Sequence, residues 1–314
     1  MFPFLKISLI LVLSMLSQLT IAQHQQFTPN ELWTDTKGVH INAHGGGMLY
    51  FQGKYYWYGE YKSENTSSAM VGFTCYSSTN LINWNNEGVV LAVSDDEKSD
   101  IAKGCIMERP KVVYNAKTKQ FVMWFYLELK GQNYKAARVA LVVSDSPIGR
   151  FKYLRSYRPN AGIYTLNFTL EQKNAALTES DFPKSWTAEW SLAVKNGLFL
   201  QRDLPGGQMS RDMSIFMDDN AKTYHIFASE KNQTLQIAEL ADDYQSHDGR
   251  FVRVIEGKHN EALAIFKKDG KNFLITSDCT GWTPKYPIDT RYIWLPIEFK
   301  NNIPVITWKD NWKY

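Results

Sequence analysis

Apolar and polar residues alternate along much of this chain in short runs that are separated by turn residues. In the region 214–229, an apolar run at 214–217 is followed by the acidic turn 218–220 and by a second alternating run at 223–228. Such alternation around a short polar turn predicts an antiparallel β-hairpin. The same pattern recurs at 48–58, 112–126 and 264–276, so we call these four units the inner hairpins.

The chain also has a longer sequence repeat, because three inner hairpins are each followed by a second pair of predicted strands. These outer pairs are 72–77 with 88–91, 140–145 with 149–154, and 235–240 with 249–254. Repeats of about four strands are typical of β-propeller blades. A β-sandwich is the alternative, but it would leave unexplained why both halves recur in the same order. The pattern therefore predicts an all-β propeller.

Two regions depart from the repeat. The first is an insertion at 159–209, between the second and third blades, which contains Trp186, Trp190 and a helix-like run at 187–196. A connection of this length in a compact domain is usually functional or folded in its own right. The second departure follows Trp282, where no outer pair appears and the chain runs into a predicted closing strand at 291–297. About one blade's worth of chain is therefore predicted to be missing after Trp282.

The N-terminus predicts export. Lys6 precedes an apolar run from Ile7 to Met15, and Thr20-Ile21-Ala22 provides a cleavage site, which is typical of a secretory signal peptide at 1–22. Residues 23–39 form a polar leader, and 40–314 form a single propeller domain. We expect a secreted or periplasmic protein with no membrane association after cleavage, and we expect a monomer.

Composition excludes some classes of function. The chain has 314 residues and a net charge of +3, without the basic stripe that nucleic acid would require. The three cysteines, Cys75, Cys105 and Cys279, lack metal-ligand spacing, as do the histidines, so no metal or cofactor is expected. One disulfide remains open beside the favoured interpretation, which is buried thiols.

The candidate chemistry lies in short polar stretches just before the inner hairpins. These stretches are His44-Gly45-Gly46-Gly47, Glu108-Arg109-Pro110, Arg211-Asp212 and Asn260-Glu261. A fold that repeats one hairpin presents these residues together on one face. Three carboxylates that converge there suit glycoside hydrolysis, and their mutual repulsion would raise at least one pKa. The alternative is that each acid pairs locally, Glu108 with Arg109 and Asp212 with Arg211.

The glycine-rich stretch at 44–47 has two open interpretations. It does not belong to an α/β-hydrolase, since the chain has no G-x-S-x-G elbow, and no Gly-Lys-Ser/Thr follows that would make it a phosphate loop. Close packing of the loop at a central channel is favoured. Approach of a sugar to the bare backbone is the second interpretation.

Taken together, these stretches, with 55–60 and 279–282, resemble glycoside hydrolase family 43, and most closely its exo-β-1,3-galactanase-like branch. The resemblance implies a five-bladed β-propeller and inverting, exo-acting hydrolysis of galactose-containing plant or host glycans. It implies that Glu261 is the general acid, and that Glu108 and Asp212 tune its pKa and hold sugar hydroxyls. It places a further set of residues in the sugar pocket: His44, Gly45, Glu60, Arg109, Tyr134, Arg211, Asn232, Thr280 and Trp282.

The chain also departs from that family. The aspartate base usual in the first blade is replaced by the His-Gly-Gly-Gly stretch, and relatives carry a glutamine on a fifth inner hairpin that this chain lacks. The deletion predicts either a strained four-blade ring or an open, aggregation-prone edge, and a rate lower by about two to four orders of magnitude. The alternatives are a non-catalytic glycan-binding propeller, or an arabinofuranosidase or galactofuranosidase of the same family. A further hypothesis makes the insertion, through Trp186 and Trp190, a wall beside the pocket.

Overall fold

Antiparallel sheets dominate the computed structural model, which describes residues 25–63, 65–268, 271–277, 288, 291–301 and 303–313. In these residues the strands form three four-stranded and two two-stranded sheets. The first sheet consists of β1 (His44–Phe51), β2 (Lys54–Glu60), β3 (Gly72–Ser78) and β4 (Asn85–Ala92). The second sheet consists of β5 (Ile106–Asn115), β6 (Gln120–Glu128), β7 (Arg138–Ser144) and β8 (Lys152–Tyr157). The third is β9 (Met213–Met217), β10 (Thr223–Ser229), β11 (Thr234–Leu240) and β12 (His247–Val254), and the shorter pairs are β13 (Glu261–Lys268) with β14 (Lys271–Ser277) and β15 (Ile297–Lys300) with β16 (Ile303–Ile306).

This arrangement confirms the all-β prediction and is consistent with a five-bladed propeller. All four inner hairpins form, and strand order within each four-stranded sheet follows the chain. The inner strands lie side by side, since β1 contacts β5, β5 contacts β9 and β9 contacts β13. Residues that begin these strands are therefore brought to one region. The junction at Trp282 lies outside the described residues, so the missing blade stays a prediction.

The core lies between successive sheets. Phe73 of the first sheet packs edge-on against Phe125 of the second, with ring centroids 5.0 Å apart. Trp124 of the second sheet is fully buried and donates from Nε1 to the carbonyl of Tyr244, in the turn between β11 and β12 of the third sheet, at 2.9 Å. Burial of each such ring contributes about 1.5–3 kcal/mol to the free energy of folding. These contacts therefore stabilise the packing of one sheet on the next and hold the inner strands in position.

The two ends of the described chain pack together. Phe27 is buried, forms a bridge with Trp312 and stacks on its ring at 4.3 Å. Trp33 packs edge-on against Trp294 at 5.2 Å, so the predicted leader contributes to the same core. The prediction of a closing strand at 291–297 was wrong. Residues 291–296 form no regular strand, and the buried Tyr292 bonds through its hydroxyl to the backbone of Ile41 and Ala43.

The insertion is folded, as predicted, between β8 and β9. It holds three short helices: α1 (Leu170–Asn174), α2 (Ala188–Lys195) and α3 (Leu198–Asp203). Thr187 caps α2 by accepting from the backbone N–H of Trp190, which satisfies a donor at the helix start. Trp190 is buried against Phe199, so this tryptophan belongs to the insertion's own core.

Two of the predicted buried thiols are described. Cys75 and Cys105 are both buried and free, and burial raises the pKa of the Cys105 thiol to about 12, which makes it unreactive. Cys279 lies outside the described residues. None of the helices in the described part of the chain has the length and apolar character of a membrane span.

Candidate active site

The first, second and fourth inner strands share an irregularity at the start. Their pairing register shifts directly after one candidate residue in each strand: His44, Glu108 and Glu261. The next residue has a left-handed backbone in every case, with φ of 58° at Gly45, 58° at Arg109 and 49° at Ala262. Bulges of this kind re-aim side chains. The three candidates therefore occupy equivalent positions at the same end of neighbouring strands.

Asp212 links two of these positions. It directly precedes β9, and its Oδ2 lies 2.9 Å from Nη2 of Arg109 and accepts from the backbone N–H of Ala262 at 2.8 Å. One carboxylate thus bonds to the residue after Glu108 and to the residue after Glu261. Asp212 therefore connects the bulge that carries Glu108 with the bulge that carries Glu261. The alternative local pairing of Asp212 with Arg211 is wrong, because the left-handed Arg109 supplies the partner instead.

Glu60, at the end of β2, holds the first sheet against the second. Its side chain is buried, Oε1 accepts from the backbone N–H of Arg109 at 3.1 Å, and Oε2 lies 2.5 Å from Nζ of Lys62. A Cβ added at Gly45 would meet Oε1 at 2.4 Å, which explains glycine at this position. The sequence does not single out Lys62, which becomes a buried partner of Glu60 only in the folded chain.

The glycine stretch packs against protein, which favours the first of its two interpretations. A Cβ at Gly46 would lie 2.3 Å from the carbonyl oxygen of Tyr58, and one at Gly47 would lie 2.5 Å from that of Pro110. Lys111, another residue that the sequence analysis missed, donates from Nζ to the carbonyl of Gly46 at 3.1 Å. Burial, followed by the charge of Arg109, lowers the pKa of Lys111 to about 7.

Burial sets the proton state of two groups at the bulges. It raises the pKa of Glu108 to about 7, with the charges of Glu60 and Asp212 adding to the effect. The sequence analysis attributed such a shift to mutual repulsion, whereas burial is the larger cause. Burial also lowers the pKa of His44, so its imidazole is neutral at neutral pH. The site therefore holds a carboxyl group that is protonated up to about neutral pH.

Tyr134 and Arg211 lie on the insertion side of the cluster. Tyr134 sits in a short 3-10 turn, and its carbonyl accepts from Nη2 of Arg211 at 2.8 Å. The residue is 46% exposed, and partial burial, followed by the charge of Glu108, raises the pKa of its phenol to about 12. The fully buried Glu128, also missed, accepts from the N–H groups of residues 136 and 137 and so fixes this turn.

Glu261 is held by an amide. Its Oε1 accepts from Nδ2 of Asn232 at 2.9 Å, and Nε2 of His259 lies 3.5 Å from the same oxygen. The glutamate side chain is 28% exposed, so the carboxyl group can be reached from outside. The backbone carbonyl of Asn232 accepts from the backbone N–H of Asn260 at 2.8 Å, which fixes Asn232 relative to the strand that carries Glu261.

The turn that carries Asn232 is strained. Three successive residues have left-handed φ angles: Glu230 at 54°, Lys231 at 57° and Asn232 at 65°. Non-glycine residues in this region cost about 1–3 kcal/mol each, so other contacts must offset the strain. The fully buried Glu230 supplies one such contact, accepting two bonds of 2.7 Å from the guanidinium of Arg253. That guanidinium also donates to the carbonyls of residues 194 and 195 at the end of α2, which ties the insertion to this turn.

Ten of the twelve predicted site residues are described, and the contacts above connect them into one region. Thr280 and Trp282 lie outside the described residues. The described residues contain no cluster of three or more histidine, cysteine or acidic side chains placed to hold a metal ion. The sequence analysis missed a supporting set of four residues: Lys62, Lys111, Glu128 and His259.

Comparisons with known proteins identify the relatives of this chain. Residues 40–261 match the family model described as glycosyl hydrolases family 32 N-terminal domain. A solved family 43 β-1,3-galactosidase with galactodeoxynojirimycin is 45% identical, with a TM-score of 0.89 over 92% of this chain and 100% of that chain. The search of curated proteins finds no match.

Two further solved structures are more distant. An exo-β-1,3-galactanase from Clostridium thermocellum is 34% identical, with a TM-score of 0.64 over 82% of this chain and 47% of that chain. One from Phanerochaete chrysosporium, with β-1,3-galactotriose, is 26% identical, with a TM-score of 0.72 over 93% of this chain and 68% of that chain. Since the 45% identical structure is matched along its whole length, this protein belongs to glycoside hydrolase family 43.

Proposed function

We propose that this glycosidase removes terminal galactose from β-1,3-linked galactans by an exo-acting, inverting reaction. The observation that carries the proposal is the bridging carboxylate of Asp212, which gathers acids from separate sheets around one region. The relatives support the substrate class, since one is a β-1,3-galactosidase and two are exo-β-1,3-galactanases. Arabinofuranose or galactofuranose substrates are the alternatives within the family.

Each acid has a separate role in this proposal. Glu261 is partly exposed and held by Asn232, so its carboxyl group can protonate the leaving oxygen as general acid. Glu108, protonated near neutral pH, can donate a hydrogen bond to a sugar hydroxyl, as a carboxylic acid does when burial keeps it neutral. Asp212, bonded to Arg109, accepts from the sugar hydroxyls and fixes the position of both strands.

The stereochemistry of the first product tests this function. Purified protein is mixed with β-1,3-galactobiose, and the anomeric signals of released galactose are followed by proton NMR before mutarotation. We expect α-galactose to appear first. Initial release of β-galactose would contradict inversion, and release of arabinose from arabinofuranosides without any galactose release would contradict the substrate class.

Two further features of the chain are proposed with this function. Export requires cleavage after Ala22, which the N-terminal sequence of the mature protein tests. A missing blade after Trp282 would impair activation of the attacking water and lower the rate by about two to four orders of magnitude. Turnover of a β-1,3-galactan at the rate of the related galactanases would contradict that impairment.

The proton on Glu108 predicts a pH dependence. Its pKa is raised to about 7, so the group is protonated below that pH and loses its proton as the pH rises through 7. We expect the association constant for galactose to fall about tenfold per pH unit above 7, because the donor is replaced by a charge facing Glu60 and Asp212. Isothermal titration calorimetry between pH 5.5 and 8.5 measures the effect.

The control is Glu108→Gln, which keeps a neutral donor at every pH. Its galactose affinity should be nearly flat between pH 6 and 8. A slope that persists unchanged in this variant would assign the titration to another group, of which Lys111 is the first to test, since its pKa is also about 7.

A further inference from the structure

One large aromatic side chain near the candidate acid is unexplained by the fold. Trp186, in the insertion, is 65% exposed, and its backbone is left-handed with φ of 70°. A bulky residue rarely adopts this conformation, and an exposed tryptophan recovers little hydrophobic free energy in return. The strain and the exposure together indicate that the ring is held out for contact with something else.

The ring is nevertheless supported from below. Its centroid lies 5.4 Å from that of the buried Trp190, and Thr187, the next residue, caps α2. The insertion is tied to the turn that carries Asn232 by the ion pair of Glu179 with Lys231 and by the bonds of Arg253 to the end of α2. Trp186 therefore stands on a fixed base, since the elements beneath it are held to the third sheet.

Trp186 is connected to Glu261 through His259. Its ring centroid lies 6.0 Å from that of His259, whose Nε2 lies 3.5 Å from Oε1 of Glu261. On its other flank, Glu261 is followed by Ala262, which bonds to Asp212 and so leads to Arg109 and Glu60. Glu261 thus separates the group of buried charges from an exposed aromatic surface.

We propose that Trp186 is a stacking platform for the leaving-group sugar, a β-linked hexopyranose next to the terminal one. This inference rests on the proposed function, since a general acid lies beside the oxygen that joins the terminal sugar to the leaving-group sugar. The terminal sugar lies among the carboxylates, and the next unit lies across Glu261, where its apolar face packs on the indole ring. His259 fills the corner between the ring and the acid.

The test compares two substrates that differ only in what reaches this platform. β-1,3-Galactobiose has a sugar as leaving group, whereas β-galactosyl fluoride releases only fluoride. For Trp186→Ala, we expect kcat/KM on the galactobiose to fall about tenfold or more, with the fluoride unchanged within about twofold. Trp186→Phe should recover part of the loss. Leu192→Ala, which alters another exposed apolar residue of the insertion, should change neither value.

Equal losses on both substrates, or no loss on either, would overturn the proposal. If the wild-type protein hydrolyses neither substrate, the proposed function fails, and calorimetric binding then decides the inference separately. In that case Trp186→Ala should weaken the binding of β-1,3-galactobiose about tenfold while leaving that of galactose unchanged. Equal affinities of the variant and the wild type for the disaccharide would contradict the platform.

Discussion

Replacing Glu261 with glutamine is expected to lower kcat on β-1,3-galactobiose by about two to four orders of magnitude. The amide has nearly the shape of the carboxyl group but cannot give a proton to the leaving oxygen. Hydrolysis of β-galactosyl fluoride should fall much less, because fluoride leaves without protonation. Initial rates measured on both substrates separate a lost general acid from a damaged pocket, which would impair both reactions.

The control for this variant is Glu239→Gln, which removes a carboxylate that pairs with Lys222 and Arg250 on the outer part of the third sheet. Its rate should equal that of the wild type. Unchanged turnover of galactobiose by Glu261→Gln would exclude Glu261 as the acid. A protein that binds galactose but never hydrolyses the disaccharide, with or without the substitution, would be the non-catalytic binder.

Replacing Arg253 with methionine is expected to reduce the free energy of unfolding by about 3–5 kcal/mol. Arg253 is 2% exposed and pairs with the fully buried Glu230, so the substitution leaves a buried carboxylate without its counter-charge. The same change releases the strained turn that presents Asn232 to Glu261. We therefore expect kcat to fall as well, even though Arg253 is far along the chain from the acids. Urea unfolding and initial rates measure the two effects.

Arg250→Met is the matched control. Arg250 is exposed and pairs with Glu239 and Asp248 on the surface, where ion pairs contribute little. Its unfolding midpoint should stay at the wild-type value. The double variant Arg253→Met/Glu230→Leu should recover part of the stability, since it removes the uncompensated charge. A stable Arg253→Met protein with normal kcat would show that the buried pair does not hold the turn.

The repeated hairpins could be predicted because their alternation is local. The inner strand β9 and its partner β10 follow directly from the apolar run at 214–217 and the acidic turn after it. The helix α2 could be predicted for the same reason, from the helix-like run at 187–196. The grouping of Glu108, Asp212 and Glu261 then followed from one premise, that equivalent residues of a repeat meet at one place.

The partners of these acids could not be predicted, because they depend on backbone conformation and on contacts between sheets. Arg109 is adjacent to Glu108 in sequence, yet its left-handed backbone and the bulge direct it to Asp212 in the next blade. Lys62 and Lys111 looked like ordinary surface lysines, and only folding buries them beside Glu60 and the glycine stretch. The local pattern at 291–297 also gave no sign that Tyr292 is buried and bonds to the backbone of Ala43 in the first sheet's region.

The proposed function depends most on a single pocket shared by the three acids. Its most direct test is calorimetric titration of galactodeoxynojirimycin, the ligand in the 45% identical structure, into the wild type and into Glu108→Ala, Asp212→Asn and Glu261→Gln. Loss of one hydrogen bond to a charged group is worth about 1.5–3 kcal/mol, so each variant should bind about tenfold or more weakly. Wild-type affinity in two of the three folded variants would contradict the shared pocket.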